Sequence, residues 1–410
     1  MGQRQYLQTE EKVPSLWKNR SFLLLWGSGA SAAIGLQIYT IVIPLLVYEM
    51  SQSALAMSSM RVMEFLPNVL LGMVAGVIVD RLRRKRVMIV MIGVQWLVLC
   101  VLLSLLWTDS LGLWMLFILG FLFSSSGYFI GNASHSALPQ MIDRTQLTEA
   151  NAKMSFIDTL IRMIGPGIAG VVLAATSFLG TLSIQFVFVT LSFVAVLLMH
   201  FPEVKHVQKK QSFWADMKEG VRELFGNRTL LTPTVAVIFQ NFASSMVLGV
   251  LIFFAVDVLG SSETEVGLMF SVSAIGGLLG ALVVKRMTDK FPRGKVYTYV
   301  MLGEVIGYVV LLVAGTWWVI GISLAIRTFF ITISNVVYFS IRQEFTPNHL
   351  LGRVSGTSSM LMKLMLPAGL LAAGLWAEYF SVRILFVVTL VLCLVIFLVM
   401  LRTNFYRTVR

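Results

Sequence analysis

Apolar residues fill this chain in long runs separated by short polar turns, and each run has the length of one membrane crossing. The pattern predicts helices over 20–48, 54–79, 87–107, 112–136, 153–176, 178–201, 229–258, 264–288, 296–314, 318–342, 355–377 and 381–401. A hydrocarbon layer takes about 20 consecutive, mostly apolar residues in a helix, which satisfies its own backbone hydrogen bonds where water is absent. The expected fold is therefore an all-α polytopic membrane protein with twelve transmembrane helices. The first 19 residues are polar and mixed in charge. They lack the apolar core and small-residue cleavage site of a signal peptide, so the first predicted helix would itself direct insertion.

Composition agrees with lipid as the solvent: of 410 residues, 57% are hydrophobic and 13% charged. The net charge of +12 acquires meaning from its placement. Arg4, Lys12, Lys18 and Arg20 precede the first predicted helix, and Arg81, Arg83, Arg84, Lys85 and Arg86 follow the second. Further basic groups follow the sixth (Lys205 to Arg228) and the eighth (Lys285 to Lys295). The alternate links around Gln52, Asp109, Ser177, Glu263 and Thr316 contain no lysine or arginine, and the last one has only Arg383. Positive loops stay in the cytoplasm, so both termini are expected there and the number of crossings must be even. The expected location is the cytoplasmic (inner) membrane, with the basic faces solvated and close to anionic lipid. No nucleic-acid partner is expected. Cys100 and Cys393 fall within apolar helices, no metal-ligand cluster or phosphate-cradling loop is visible, and no cofactor or ATP-driven step is expected.

The chain also repeats. Gly72 and Gly76 in the second predicted helix are matched by Gly276 and Gly280 in the eighth, and Asn132, Gln140 and Leu147 by Asn335, Gln343 and Leu350. Both offsets are close to half the chain. They predict two pseudo-symmetric six-helix bundles, 1–201 and 229–410, joined by a cytoplasmic linker, 202–228, with a site between the halves. A monomer is expected.

At the end of the second predicted helix, Gly76, Asp80, Arg81, Arg84 and Lys85 stand in a register that resembles the loop motif of the major facilitator superfamily, with Arg83 where a second glycine belongs. In the second copy, Val284 replaces the aspartate. Gly165, Pro166, Gly167 and Gly170 in the fifth helix are similar to that superfamily's exporter motif. The preceding stretch, Ala137 to Asn151, looks like the macrolide-efflux and siderophore-exporter branch. The resemblance implies that Asp80 latches the halves against the start of the eleventh helix near Gly352 to Ser355, and that helices 2, 5, 8 and 11 line the contact between halves. Asp80 ending its own helix among basic neighbours, and a packing kink at Pro166, are the plainer alternatives.

Once the basic residues of the cytoplasmic and outer ends are set aside, four remain inside predicted helices, Arg61, Arg162, Arg327 and Lys363, with Glu64, Asp158 and Glu304 as acidic companions. Intramembrane charges face a partner or a cavity, which makes them functional candidates. Glu64, Arg162 and Lys363 fall near mid-membrane and are expected to approach one another across the cavity. Arg61 shares a face with Glu64, and Asp158 with Arg162. Glu64, then Asp158, are the candidates for proton coupling, with static ion pairs as the alternative. Glu304 and Arg327 are expected to form a structural pair. Gln37, Tyr39, Asn132, Gln240, Asn241 and Asn335 are candidate polar cavity groups, most of them serving as packing residues.

These readings imply a non-enzymatic secondary transporter that exports a bulky amphipathic small molecule, a drug, macrolide-like antibiotic or siderophore, in exchange for protons. Lysophospholipid or nutrient movement and a non-transporting membrane sensor are the alternatives. An enzyme would need acid, base or nucleophile clusters that the short outer turns and scattered histidines do not provide.

Overall fold

The computed structural model describes residues 15–71, 79, 82–200, 213–347, 349–403 and 405–408. Among them the long helices are α1 (Arg20–Ser51), α2 (Ala54–Leu70), α3 (Arg84–Trp107), α4 (Leu113–Met141), α5 (Leu147–Ala175) and α6 (Phe178–Leu198). They continue as α7 (Arg228–Phe253), α8 (Glu263–Lys290), α9 (Arg293–Leu312), α10 (Trp317–Phe345), α11 (Leu351–Tyr379) and α12 (Val382–Arg402). Eleven are long and apolar enough to cross a membrane. The exception is α2, whose continuation through Gly72 and Gly76 lies outside the described residues.

Local chemistry sets the ends. Asn19, Ser53, Ser177 and Asn227 cap α1, α2, α6 and α7 by accepting a backbone N–H in the first turn. Ser262 and Glu265 form a reciprocal capping box at the start of α8. A π-helical turn, Phe254–Val258, ends α7 within the predicted 229–258 run. Helices α4, α5 and α11 extend beyond their predicted apolar windows, to Met141, from Leu147 and from Leu351, because their polar end turns continue the helix into the aqueous layer. The linker, expected only as a charged connection, contains a helix, Phe213–Gly226.

Packing pairs recur six helices apart. The pairs α1–α5, α1–α6, α2–α4, α3–α4 and α3–α6 reappear as α7–α11, α7–α12, α8–α10, α9–α10 and α9–α12. The principal joins between the first six and the last six helices are α5–α8 and α2–α11, which are themselves equivalents.

Glycines show how close these approaches are. A Cβ at Gly276 would collide with the Ala325 carbonyl, and one at Gly280 with that of Phe329, so the glycine pair of α8 seats this helix directly on the α10 backbone.

Candidate functional site

Among the described residues, the closest approaches of the α5–α8 and α2–α11 joins lie at the end of the molecule with the short turns. There the Pro166 and Gly170 backbone meets Gly267 and Glu263, and the Gly167 N–H donates to Ser271 Oγ at 2.9 Å. Across the other join, Gly374 abuts Leu55 and Ser58, while Glu378 Oε1 accepts from the Ser53 hydroxyl (2.6 Å) and the Leu55 N–H (3.3 Å). Tyr48 adds a clasp by donating to Asp257 Oδ1 at 2.8 Å.

Eleven residues make just over three helical turns, so a side chain eleven positions away lies on the same face, about 16 Å along the axis. Measured toward the basic end, Gly167 leads to Phe156, Gly267 to Leu278 and Gly374 to Lys363, and all three are exposed, Phe156 at 71%. Among the described residues, the helix faces that touch at the short-turn end are therefore exposed toward the basic end.

The intramembrane charges take distinct places. Arg61 and Glu64 form a 2.9 Å ion pair with both side chains 9% exposed, and the Arg61 guanidinium also donates to the Thr40 carbonyl of α1. Tyr39, stacked on Phe123 at 4.5 Å, closes this region within the first six helices. Glu64 Oε1 is buried without a hydrogen-bond partner among the described residues. Arg162 pairs with Asp158 at 2.8 Å on an open face, their side chains 61% and 46% exposed. Lys363 is exposed and makes no ion pair among the described residues. The expected convergence of Glu64, Arg162 and Lys363 is therefore corrected in this conformation: each carboxylate takes the arginine of its own helix face, and Lys363 stays exposed on α11.

Glu304 and Arg327 are buried, but they do not form the expected direct pair. Glu304 accepts from Gln240 Nε2 (3.1 Å), while Arg327 donates to Tyr308 (2.8 Å) and Ser244 (3.2 Å) and lies over the Tyr308 ring. Gln37 packs against Gly165 and Asn241 donates to the Met362 carbonyl, so these amides join helices, whereas Asn132 donates to the Tyr128 carbonyl within α4.

Gly76, Asp80 and Arg81 lie outside the described residues. Arg84 is buried at the start of α3, and Lys85 donates to the Leu197 carbonyl of α6. The start of α11, the expected partner of Asp80, is covered by the linker helix: Gly220 lies against Arg353 and Thr357, and Glu219 pairs with Arg353. A cavity of about 660 Å³ beside that junction is lined by Arg222, Glu223 and Arg228. The amphipathic helical spacing of 213–226 was the available signal for this element. In the loop between α4 and α5, Asp143 accepts from the N–H and hydroxyl of Thr145, which hold its carboxyl below the ordinary aspartate pKa.

The sequence profile of the Major Facilitator Superfamily matches residues 25–364 and again 234–408. The chain belongs to the Major Facilitator Superfamily. This facilitator is 23% identical over 389 residues to macrolide efflux protein A of Streptococcus pyogenes, covering 93% of this chain and 95% of that protein. It is 24% identical over 302 residues to the enterobactin exporter of Salmonella choleraesuis, covering 69% and 68%. Its fold matches that of a mutant nucleoside transporter NupG with a TM-score of 0.78 at 11% identity, covering 93% of this chain and 98% of that one. The facilitator is thus a multi-pass membrane transporter, not an enzyme, and its relatives include the branch that the 137–151 stretch resembles.

Proposed function

We propose that this facilitator exports a bulky amphipathic small molecule from the cytoplasm in exchange for protons, by rocking two six-helix units, 1–201 and 229–410, about the cavity between them. The observation that carries this reading is the pair of joins, α5–α8 and α2–α11, in contact at the short-turn end, with the same helix faces exposed toward the basic end. Rigid halves meeting along two equivalent seams can close one end as they open the other. The concentration of lysines and arginines at the open end supports a cytoplasmic placement of that end and of both termini in an inner membrane. The cavity is then inward-open, the state that receives cargo for export. The relatives named for macrolide and enterobactin efflux favour export of a drug, a macrolide-like antibiotic or a siderophore. A monomer suffices, because one chain contributes both seams.

Glu64 is the proposed proton carrier and Asp158 the second candidate. Glu64 has one oxygen on Arg61 and the other buried without a partner, so a proton would occupy a place already shaped for it. Inside-out vesicles containing the facilitator are expected to accumulate a labelled macrolide or siderophore when acidified internally. Glu64→Gln should reduce cargo-driven proton movement about a hundred-fold or more, the range of a lost general acid–base group. Unchanged coupling would move the role to Asp158, and binding without accumulation would indicate a sensor.

A further inference from the structure

The buried and mid-helix charges do not balance. Arg61, Arg162, Arg327 and Lys363 stand against Glu64, Asp158 and Glu304. Arg61 and Arg162 are each in contact with a carboxylate, and Arg327 interacts electrostatically with Glu304, leaving Lys363 as the surplus. Its place is defined by the helix. Being eleven residues from Gly374, which touches α2, it shares the face turned toward the other half, whereas Leu364, Leu371 and Leu375 mark a different, apolar exposed stripe. An ammonium so placed meets the cavity, not lipid.

A second cation lies close by. Arg342, near the end of α10, donates to Ser358 Oγ (3.0 Å) and Ser359 Oγ (3.4 Å) on α11, one turn before Lys363. Among the described residues it has no carboxylate partner, its guanidinium lies over the Tyr338 and Phe339 rings, and its Nε is buried without a hydrogen bond. Across the gap, Arg162 occupies the matching register, four residues before Pro166 as Lys363 is four before Pro367. Its partner Asp158 is more than a third exposed, so solvent weakens that pair. Two uncompensated cations on one wall and a loosely held third on the other form a site that lacks its anion. Phe156 of α5 supplies apolar surface on the opposite wall, and Leu278 and Leu282 of α8 supply it on the half that carries Lys363.

We propose that the facilitator selects amphipathic organic anions, holding a carboxylate, phenolate, sulfonate or phosphate oxyanion between Lys363 and Arg342 while the apolar body lies toward Phe156 and Leu282. This rests on the export reading for the direction of movement, but not for the site. Charge-assisted hydrogen bonds supply the recognition, and Ser359 provides a neutral donor between the two cations. One carboxylate or sulfonate offsets part of the positive charge that the helices leave open.

Two xanthene dyes of similar bulk and opposite charge, fluorescein and rhodamine 6G, test the site. The purified full chain should bind fluorescein more tightly than rhodamine 6G in fluorescence anisotropy. Lys363→Gln should weaken fluorescein binding about ten-fold, as loss of a charge-assisted contact does. Lys363→Glu should invert the preference. Because Lys363 is exposed, its variants should melt with wild type, and Arg342→Gln should reduce fluorescein binding in the same direction. Equal or tighter binding of rhodamine 6G by wild type, or unchanged fluorescein binding by Lys363→Gln, would overturn the proposal. Selective fluorescein binding with no accumulation in inside-out vesicles would uphold the anion site and overturn export.

Discussion

Arg61→Ala is expected to destabilise the facilitator by about 3–5 kcal/mol, the cost of leaving a buried carboxylate without its partner. Arg61 neutralises Glu64 and ties α2 to the Thr40 carbonyl of α1. Truncation removes both contacts, and helices pressed around Tyr39 and Phe123 leave little room for water to replace them. Arg162→Ala is the matched control: its pair with Asp158 is largely exposed, and such pairs contribute about 0–1 kcal/mol. Thermal melting in detergent should therefore show a large loss for Arg61→Ala and little change for Arg162→Ala. Replacing Arg61 and Glu64 together by methionine should recover most of the stability, since apolar residues of similar volume remove the buried charge altogether. Equal melting of the two alanine variants would remove the distinction drawn between the buried and open pairs.

Gly267→Val is expected to abolish sealing of the outer end. A Cβ there would strike the Pro166 carbonyl and approach Gly170, so α5 and α8 would have to separate at their closest point. Overpacking costs about 1–3 kcal/mol, which shifts a two-state equilibrium by roughly ten- to hundred-fold. In the proposed cycle this seam lies between halves that part, so the penalty falls on the proposed inward-open state and leaves each half intact. Transport should fall by about the same factor, and a cysteine at Ser271 should become reactive to a membrane-impermeant thiol reagent added outside. Gly276→Val provides the contrast. Its Cβ would strike the Ala325 carbonyl within the second half, so it should impair folding itself. A Gly267→Val protein whose Ser271→Cys thiol stayed protected would contradict the proposed seam.

Both expectations depend on distinguishing contacts within a half from contacts between halves. Glycine spacing alone carries no such distinction: Gly276 and Gly280 hold α8 to α10, whereas Gly267 holds α8 to α5, although all three lie on one apolar helix. The same applies to charge. Glu64 and Asp158 each have an arginine within one turn, yet one pair is enclosed and the other open.

By itself the sequence determined that the chain is helical and membrane-spanning, because run length and backbone satisfaction in lipid leave no other economical fold for such apolar segments. Its Gly76 to Lys85 and Gly165 to Gly170 motifs led to the superfamily, and the Ala137 to Asn151 stretch to the macrolide-efflux and siderophore-exporter branch. The tertiary structure decided which intramembrane charges are partnered, because pairing depends on where helices converge along their length. It also revealed that the linker helix, whose amphipathic spacing the sequence carries, lies over the start of α11, and where the contacts between the first and last six helices concentrate. The contact of α2 with α11 is a relation between distant segments, and no local periodicity encodes it.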